Sequence, residues 1–263
     1  MDPIRHIVRG APGGRPVVFV HGFGCGASDW DAQAAHLGAR HRTVAVDLRG
    51  HTGCPGPAHA CSIELYGADV ARVMDALDLS GAVVVGHSMG CRVAVEAALQ
   101  APARVAGIVL VDGSQFPPEA DAAMRAAFDG PGGFAAAAET LFVDMFTAKS
   151  DPTAVARVLD RARALPAAIG RRMLLDLIRY DAARWTASLG CVRVPLLAIQ
   201  STKRDAAGKR AVMARGDRSP YLDMVRAAVP AARVEIVPDT GHFPQLDEPA
   251  AVNAALDTFL ASL

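Results

Sequence analysis

Short, largely β-branched runs, apolar except for Thr43 and Glu235, recur along the chain at 17–20, 43–46, 83–85, 108–111, 196–199 and 234–237. None shows the polar alternation of a half-exposed strand, so each suits a strand covered on both faces. Longer alanine-rich stretches with helical periodicity separate them, as expected when helices cross over a parallel sheet. A weaker strand pattern lies at 4–8. The pattern predicts an α/β fold with a mostly parallel central sheet flanked by helices.

The rhythm changes between Val111 and Pro195. About 80 residues pass without a clear strand, and helical patterns over 119–128, 134–146, 154–164 and 171–185 fill the interval. Pro117-Pro118 opens this stretch and Gly130-Pro131-Gly132-Gly133 interrupts it. The division that follows has residues 1–114 and 191–263 as the core and 115–190 as a helical insertion between two late strands.

At 263 residues, 51% hydrophobic and 21% charged, the chain can bury its own core and is too apolar to be disordered. The 27 basic residues balance the 27 acidic ones. That leaves no basic field to attract nucleic acid or anionic lipid. No apolar run reaches bilayer length and the first residues lack a signal-peptide pattern, so a cytoplasmic location is expected. The five cysteines are odd in number and without C-x-x-C spacing, which argues against a disulfide framework or a zinc site. No metal or cofactor is predicted.

The segment Gly86-His87-Ser88-Met89-Gly90 fits G-x-S-x-G. Chance would produce that pattern about 0.1 times in such a chain, but here a strand precedes it and a helical pattern follows. A serine on a tight strand-to-helix turn is held in strained backbone geometry with its hydroxyl presented to substrate, and flanking glycines avoid clashes. The helix N-terminus beneath would stabilise an oxyanion.

Ser88 needs a base, and His242 is the best placed of eight histidines. It follows a late strand in Pro238-Asp239-Thr240-Gly241-His242-Phe243, at the carboxyl edge where parallel α/β folds gather their sites. His87 is adjacent to Ser88 in sequence and should point away. Two acids could orient the histidine: Asp112, at the end of the 108–111 strand, and Asp205, several residues into a basic loop after the 196–199 strand. A strand end holds its side chain more firmly, which favours Asp112.

These residues carry a resemblance to the α/β-hydrolase fold superfamily of esterases, lipases, lactonases and C–C bond hydrolases. His21-Gly22-Phe23-Gly24 resembles its oxyanion loop, Asp47-Leu48-Arg49-Gly50-His51 its D-x-R-G-H segment, and Gly241-His242-Phe243 its histidine turn. The resemblance implies an oxyanion hole built from the N–H groups of Phe23 and Met89, a helical cap within the insertion, and the order Ser88, Asp112, His242. Many members carry the acid in a turn after the penultimate strand. This chain has Gln200-Ser201-Thr202-Lys203-Arg204 there, which again favours Asp112. The short stretch before Val17 suggests that one N-terminal strand is missing.

The expected activity is serine hydrolysis of a small, largely apolar ester, thioester or lactone, with C–C bond hydrolysis and a non-turnover ligand-binding protein as alternatives on the same fold. A more distant rival is an NAD-dependent reductase, since Gly22-Phe23-Gly24-Cys25-Gly26-Ala27 satisfies G-x-G-x-x-A. That reading leaves the serine turn and the histidine turn unexplained.

Overall fold

A computed structural model of the chain describes residues 4–10, 12–51, 53–204 and 209–263. Its strands are β1 (His6–Gly10), β2 (Val17–Val20), β3 (Arg42–Val46), β4 (Ala82–His87), β5 (Val105–Val111), β6 (Leu196–Gln200), β7 (Thr202–Arg204), β8 (Arg210–Val212) and β9 (Arg233–Ile236). The helices before the insertion are α1 (Asp31–Gly38), α2 (Ile63–Ala76) and α3 (Gly90–Gln100). Those between β5 and β6 are α4 (Ala120–Asp129), α5 (Gly133–Val143), α6 (Pro152–Ala164), α7 (Ala167–Ala183) and α8 (Trp185–Gly190). α9 (Pro220–Ala228), α10 (Pro244–Asp247) and α11 (Pro249–Ala261) complete the chain.

One seven-stranded sheet has the order β1-β3-β2-β4-β5-β6-β9. β1 pairs antiparallel with β3 and every other neighbour pair is parallel. The weak pattern at 4–8 is therefore a real edge strand, so the sheet does have a strand ahead of Val17. Alternate residues of a strand face opposite sides. Val18, Val20, Val84, Ile108 and Leu110 pack with apolar residues of α2, α3 and the inserted helices. Val17, Phe19, Val83, Val85, Val109 and Val111 pack on the other face with Trp30, Leu37, Val252 and Leu256 from around α1 and α11. Burial on both faces is why these strands read as unbroken apolar runs.

Local chemistry sets several helix ends. Ser62 accepts from the Leu65 N–H to cap α2, Asp151 accepts from Ala154 N–H ahead of Pro152 in α6, and Ser219 accepts from Leu222 N–H ahead of Pro220 in α9. The single helical pattern at 171–185 resolves into two helices because Arg184 leaves helical geometry at φ −135°, separating α7 from α8. The stretch after β6, read from sequence as a loop, instead forms an antiparallel hairpin in which β7 pairs with β8. Asp205 lies outside the described residues.

A buried ion pair ties inserted helix α7 to α3. Arg92 of α3 donates to Asp181 of α7 through Nε at 2.9 Å and Nη2 at 2.8 Å, with 1% and 0% of the two side chains exposed. Removing one member strands the other as an uncompensated buried charge. Asp181→Ala is expected to cost about 3–5 kcal/mol in a denaturant titration, and a loss below about 1 kcal/mol would show that the pair contributes no more than an exposed one.

Candidate active site

β4 delivers the serine. Ser88 follows it with φ 54°, a left-handed geometry that a non-glycine residue adopts only under constraint. The constraint comes from both sides. A Cβ on Gly86 would collide with the Gly90 carbonyl, and one on Gly90 would lie 2.6 Å from the Val20 carbonyl oxygen and 2.7 Å from that of His21. Gly86→Ala should therefore leave little soluble protein, or cost at least about 2 kcal/mol of stability in chemical unfolding. An unfolding midpoint equal to wild type would refute the tight turn.

The ends of β5 and β9 bring the other two groups. Asp112 also sits at positive φ, 42°, directly after β5, and the histidine turn follows β9. His242 Nε2 lies 2.8 Å from Ser88 Oγ, and His242 Nδ1 lies 2.6 Å from Asp112 Oδ2. Ser88, His242 and Asp112 thus form one hydrogen-bonded line at the carboxyl edge of the sheet.

Asp112 is fully enclosed and saturated with donors. Its Oδ1 accepts from the N–H groups of Ser201 at 2.8 Å and Thr202 at 2.7 Å, while Oδ2 accepts from the Thr202 hydroxyl at 2.6 Å. Arg210 Nη1 adds a contact at 3.3 Å. The turn after β6 therefore supplies donors to an acid on the neighbouring strand. Burial opposes ionisation of this carboxyl, but His242, Arg210 and Thr202 outweigh it and hold it at about 2. Burial, reinforced by the positive charge of Arg210, holds His242 well below the ordinary histidine range against the pull of Asp112. At neutral pH the pair is carboxylate and neutral imidazole, the state in which Nε2 can take a proton from Ser88.

The histidine turn is fastened independently. His242 N–H donates to the Met145 carbonyl at 2.7 Å, the Ser201 hydroxyl donates to the Gly241 carbonyl at 2.7 Å, and His87 Nε2 donates to the His242 carbonyl at 2.7 Å. His87, which lines the same cavity as Ser88, braces the base through this contact. Sequence reasoning missed that role, along with those of Ser201, Thr202 and Arg210. Their contacts depend on how separate strands align, which no local pattern encodes.

Facing Ser88, the loop after β2 is held by two histidines. His21 Nε2 accepts from Leu48 N–H at 3.0 Å, so its proton sits on Nδ1, which donates to the Gly22 carbonyl at 2.8 Å. Burial drives His21 down to about 3 and keeps it neutral. His51 packs edge-on against it at 4.6 Å. Asp47 accepts from Ala27 N–H at 2.8 Å. The glycine-rich loop lies against the serine turn, since a Cβ on Gly22 would stand 3.1 Å from Ser88 Cβ. Phe23 lines the cavity over Ser88, and Met89 is the N-cap residue of α3. That cavity holds only about 20 Å³ of free space. This is room for about one water, so a larger molecule must displace side chains such as Phe116, Leu141 or Met145 from its wall.

Among the described residues, no helix is long and apolar enough to cross a membrane. The chain is 28% identical over 265 residues to the dihydrolipoyllysine-residue acetyltransferase component of an acetoin cleaving system from Pseudomonas putida, an alignment covering 98% of this chain and 66% of the relative. It thus spans just under two thirds of that relative's length. A non-heme chloroperoxidase from Streptomyces lividans is 46% identical over 107 residues, covering 40% of this chain and 38% of the relative. Among solved structures, the enol-lactonase of Burkholderia xenovorans LB400 superimposes with a TM-score of 0.81 at 23% identity, covering 98% of this chain and 96% of the other. A family model for the alpha/beta hydrolase family matches residues 17–255. The sheet order, the strained serine turn and this match lead to one conclusion: the chain belongs to the alpha/beta hydrolase family.

Proposed function

We propose that the protein is a serine hydrolase that cleaves a carboxylic ester, thioester or lactone through an acyl-enzyme. The observation that carries this reading is the hydrogen-bonded line from Ser88 Oγ through His242 to Asp112. Ser88 Oγ attacks the carbonyl carbon while its proton passes to His242 Nε2, and the carbonyl π pair moves onto oxygen. The N–H groups of Phe23 and Met89, with the positive end of α3, stabilise that oxyanion. Collapse expels the alcohol or thiol, which takes the proton from Nε2. Water repeats the sequence on the acyl group and returns the serine. Asp112 keeps the imidazole proton on Nδ1 and stabilises the imidazolium formed in each half. The inserted helices act as a cap that must shift to admit substrate.

A panel of p-nitrophenyl esters, thioesters and lactones, assayed against wild type with Ser88→Ala as the blank, tests this reading. Saturable turnover by wild type alone is expected, and its absence on every member would overturn it. The acid limb of kcat/KM is expected below pH 6.5, because the base must be neutral and His242 is held below its ordinary range. Arg210→Gln removes a positive charge that disfavours the imidazolium, so the limb should move to higher pH by on the order of one unit. A limb that stays in place would show that Arg210 does not tune the base.

A further inference from the structure

Two cavities flank helix α5. Leu141, with Met145 just beyond the helix end, lines the small cavity over Ser88, whereas Ala135, Ala138 and Phe142 line a second cavity of about 360 Å³ within the inserted helices. Positions 135, 138 and 142 share one helical face. Leu159 and Ala162 of α6 line the same space from the other side. Facing alanines ordinarily let two helices close until their surfaces meet. Here the space stays open, and its walls forgo the dispersion contacts of close packing. Among the described residues lining it, only Glu139 and Arg163 are charged, and they pair with each other at 3.0 Å with 55% of each side chain exposed. The interior is therefore apolar, with a polar rim facing water.

This apolar space ends against the loop that faces Ser88. A Cβ on Gly24 would meet the Phe142 ring at 2.9 Å and Ala162 Cα at 3.5 Å, so two residues of the cavity wall rest on the backbone one position past Phe23. The Phe142 ring is 1% exposed and stacks on Phe23 with centroids 6.1 Å apart. Phe23 lines the Ser88 cavity and Phe142 lines the apolar one, which makes this ring pair the partition between them. The Ser88 side offers only about 20 Å³, too little for any acyl chain. Turning the Phe142 ring aside joins the two spaces.

We infer that the substrate is an ester or thioester of an unbranched, medium-chain fatty acid, whose acyl chain runs from Ser88 past Phe142 into the apolar cavity. Apolar cavities take up apolar guests, and each methylene removed from water adds to binding. The acyl group stays on Ser88 through both half-reactions while the leaving group must depart, so a recess within the inserted helices suits the acyl side. The inference rests on the hydrolase reading for its scissile bond, and on the cavity and its partition for the chain.

The test measures kcat/KM for p-nitrophenyl butyrate and p-nitrophenyl octanoate, which share a leaving group. Wild type should favour octanoate by about tenfold or more. Ala138→Phe fills the cavity from α5, and Leu159→Trp, at a half-buried position, fills it from α6. Each should lower the octanoate-to-butyrate ratio by about tenfold. Damage to the catalytic geometry alone would lower both rates together and leave the ratio unchanged. Phe142→Ala removes the partition and should raise the ratio. Thermal unfolding establishes that each variant is folded. Wild type that uses the two esters equally or favours butyrate, or an undiminished ratio in a folded filling variant, would overturn the chain site and leave the hydrolase reading standing. A ratio that falls in folded Phe142→Ala would overturn the route past that ring. If neither ester is turned over, the hydrolase reading fails. Calorimetric titration of Ser88→Ala with 1-octanol then decides the cavity on its own: binding that disappears on adding Ala138→Phe supports it, and no binding refutes it.

Discussion

Ser88→Ala should lower kcat for p-nitrophenyl ester hydrolysis by at least about 10³-fold while its thermal unfolding midpoint stays close to wild type. The substitution removes only the hydroxyl. Its Cβ, and the glycine-framed turn that accepts it at φ 54°, remain. Loss of the contact to His242 at 2.8 Å leaves a neutral imidazole in a site still braced by Met145, His87 and Ser201. Stability and activity should therefore separate cleanly. Comparable loss of both would mean that Ser88 is structural, and full retention of activity would mean that the nucleophile lies elsewhere.

Asp112→Asn should be nearly as severe, with a drop of about 10⁴-fold in kcat. One carboxylate oxygen accepts two backbone N–H groups and the other accepts from Thr202 and faces His242 Nδ1. An asparagine has one acceptor oxygen, which the two N–H groups of Ser201 and Thr202 will claim. Its NH₂ must then face His242 Nδ1. That is tolerable only if the imidazole proton moves to Nε2, where the ring can no longer accept from Ser88. The variant should also lose stability, because the Thr202 hydroxyl and Arg210 lose their anion. Asp205→Asn in parallel separates the two candidate acids: a large kcat loss there, with Asp112→Asn near wild type, would assign the role to Asp205.

Legibility from sequence followed how local each signal was. Strands buried on both faces announced themselves as apolar runs, and the serine turn was readable because glycine is required on both sides of it. Asp112 and His242 stood out because each ends or follows a strand. The β7–β8 hairpin was not readable. Its strands are three residues each and charged at several positions, so neither presents an apolar run. The missed partners share that origin: Thr202 and Arg210 reach Asp112 only once β6 has aligned beside β5. The break at Arg184 was hidden because residues on either side of it keep helical periodicity.

An acyl-enzyme on Ser88 requires a serine that serine-directed reagents modify covalently. Wild-type protein is treated with a fluorophosphonate, a serine-directed mimic of the tetrahedral intermediate, and the adduct is mapped by peptide mass spectrometry. One adduct per chain is expected on the peptide containing Ser88, with inactivation in step with labelling and no adduct in Ser88→Ala. Ester turnover that continues in unlabelled protein, or an adduct on a different residue that accompanies inactivation, would contradict it.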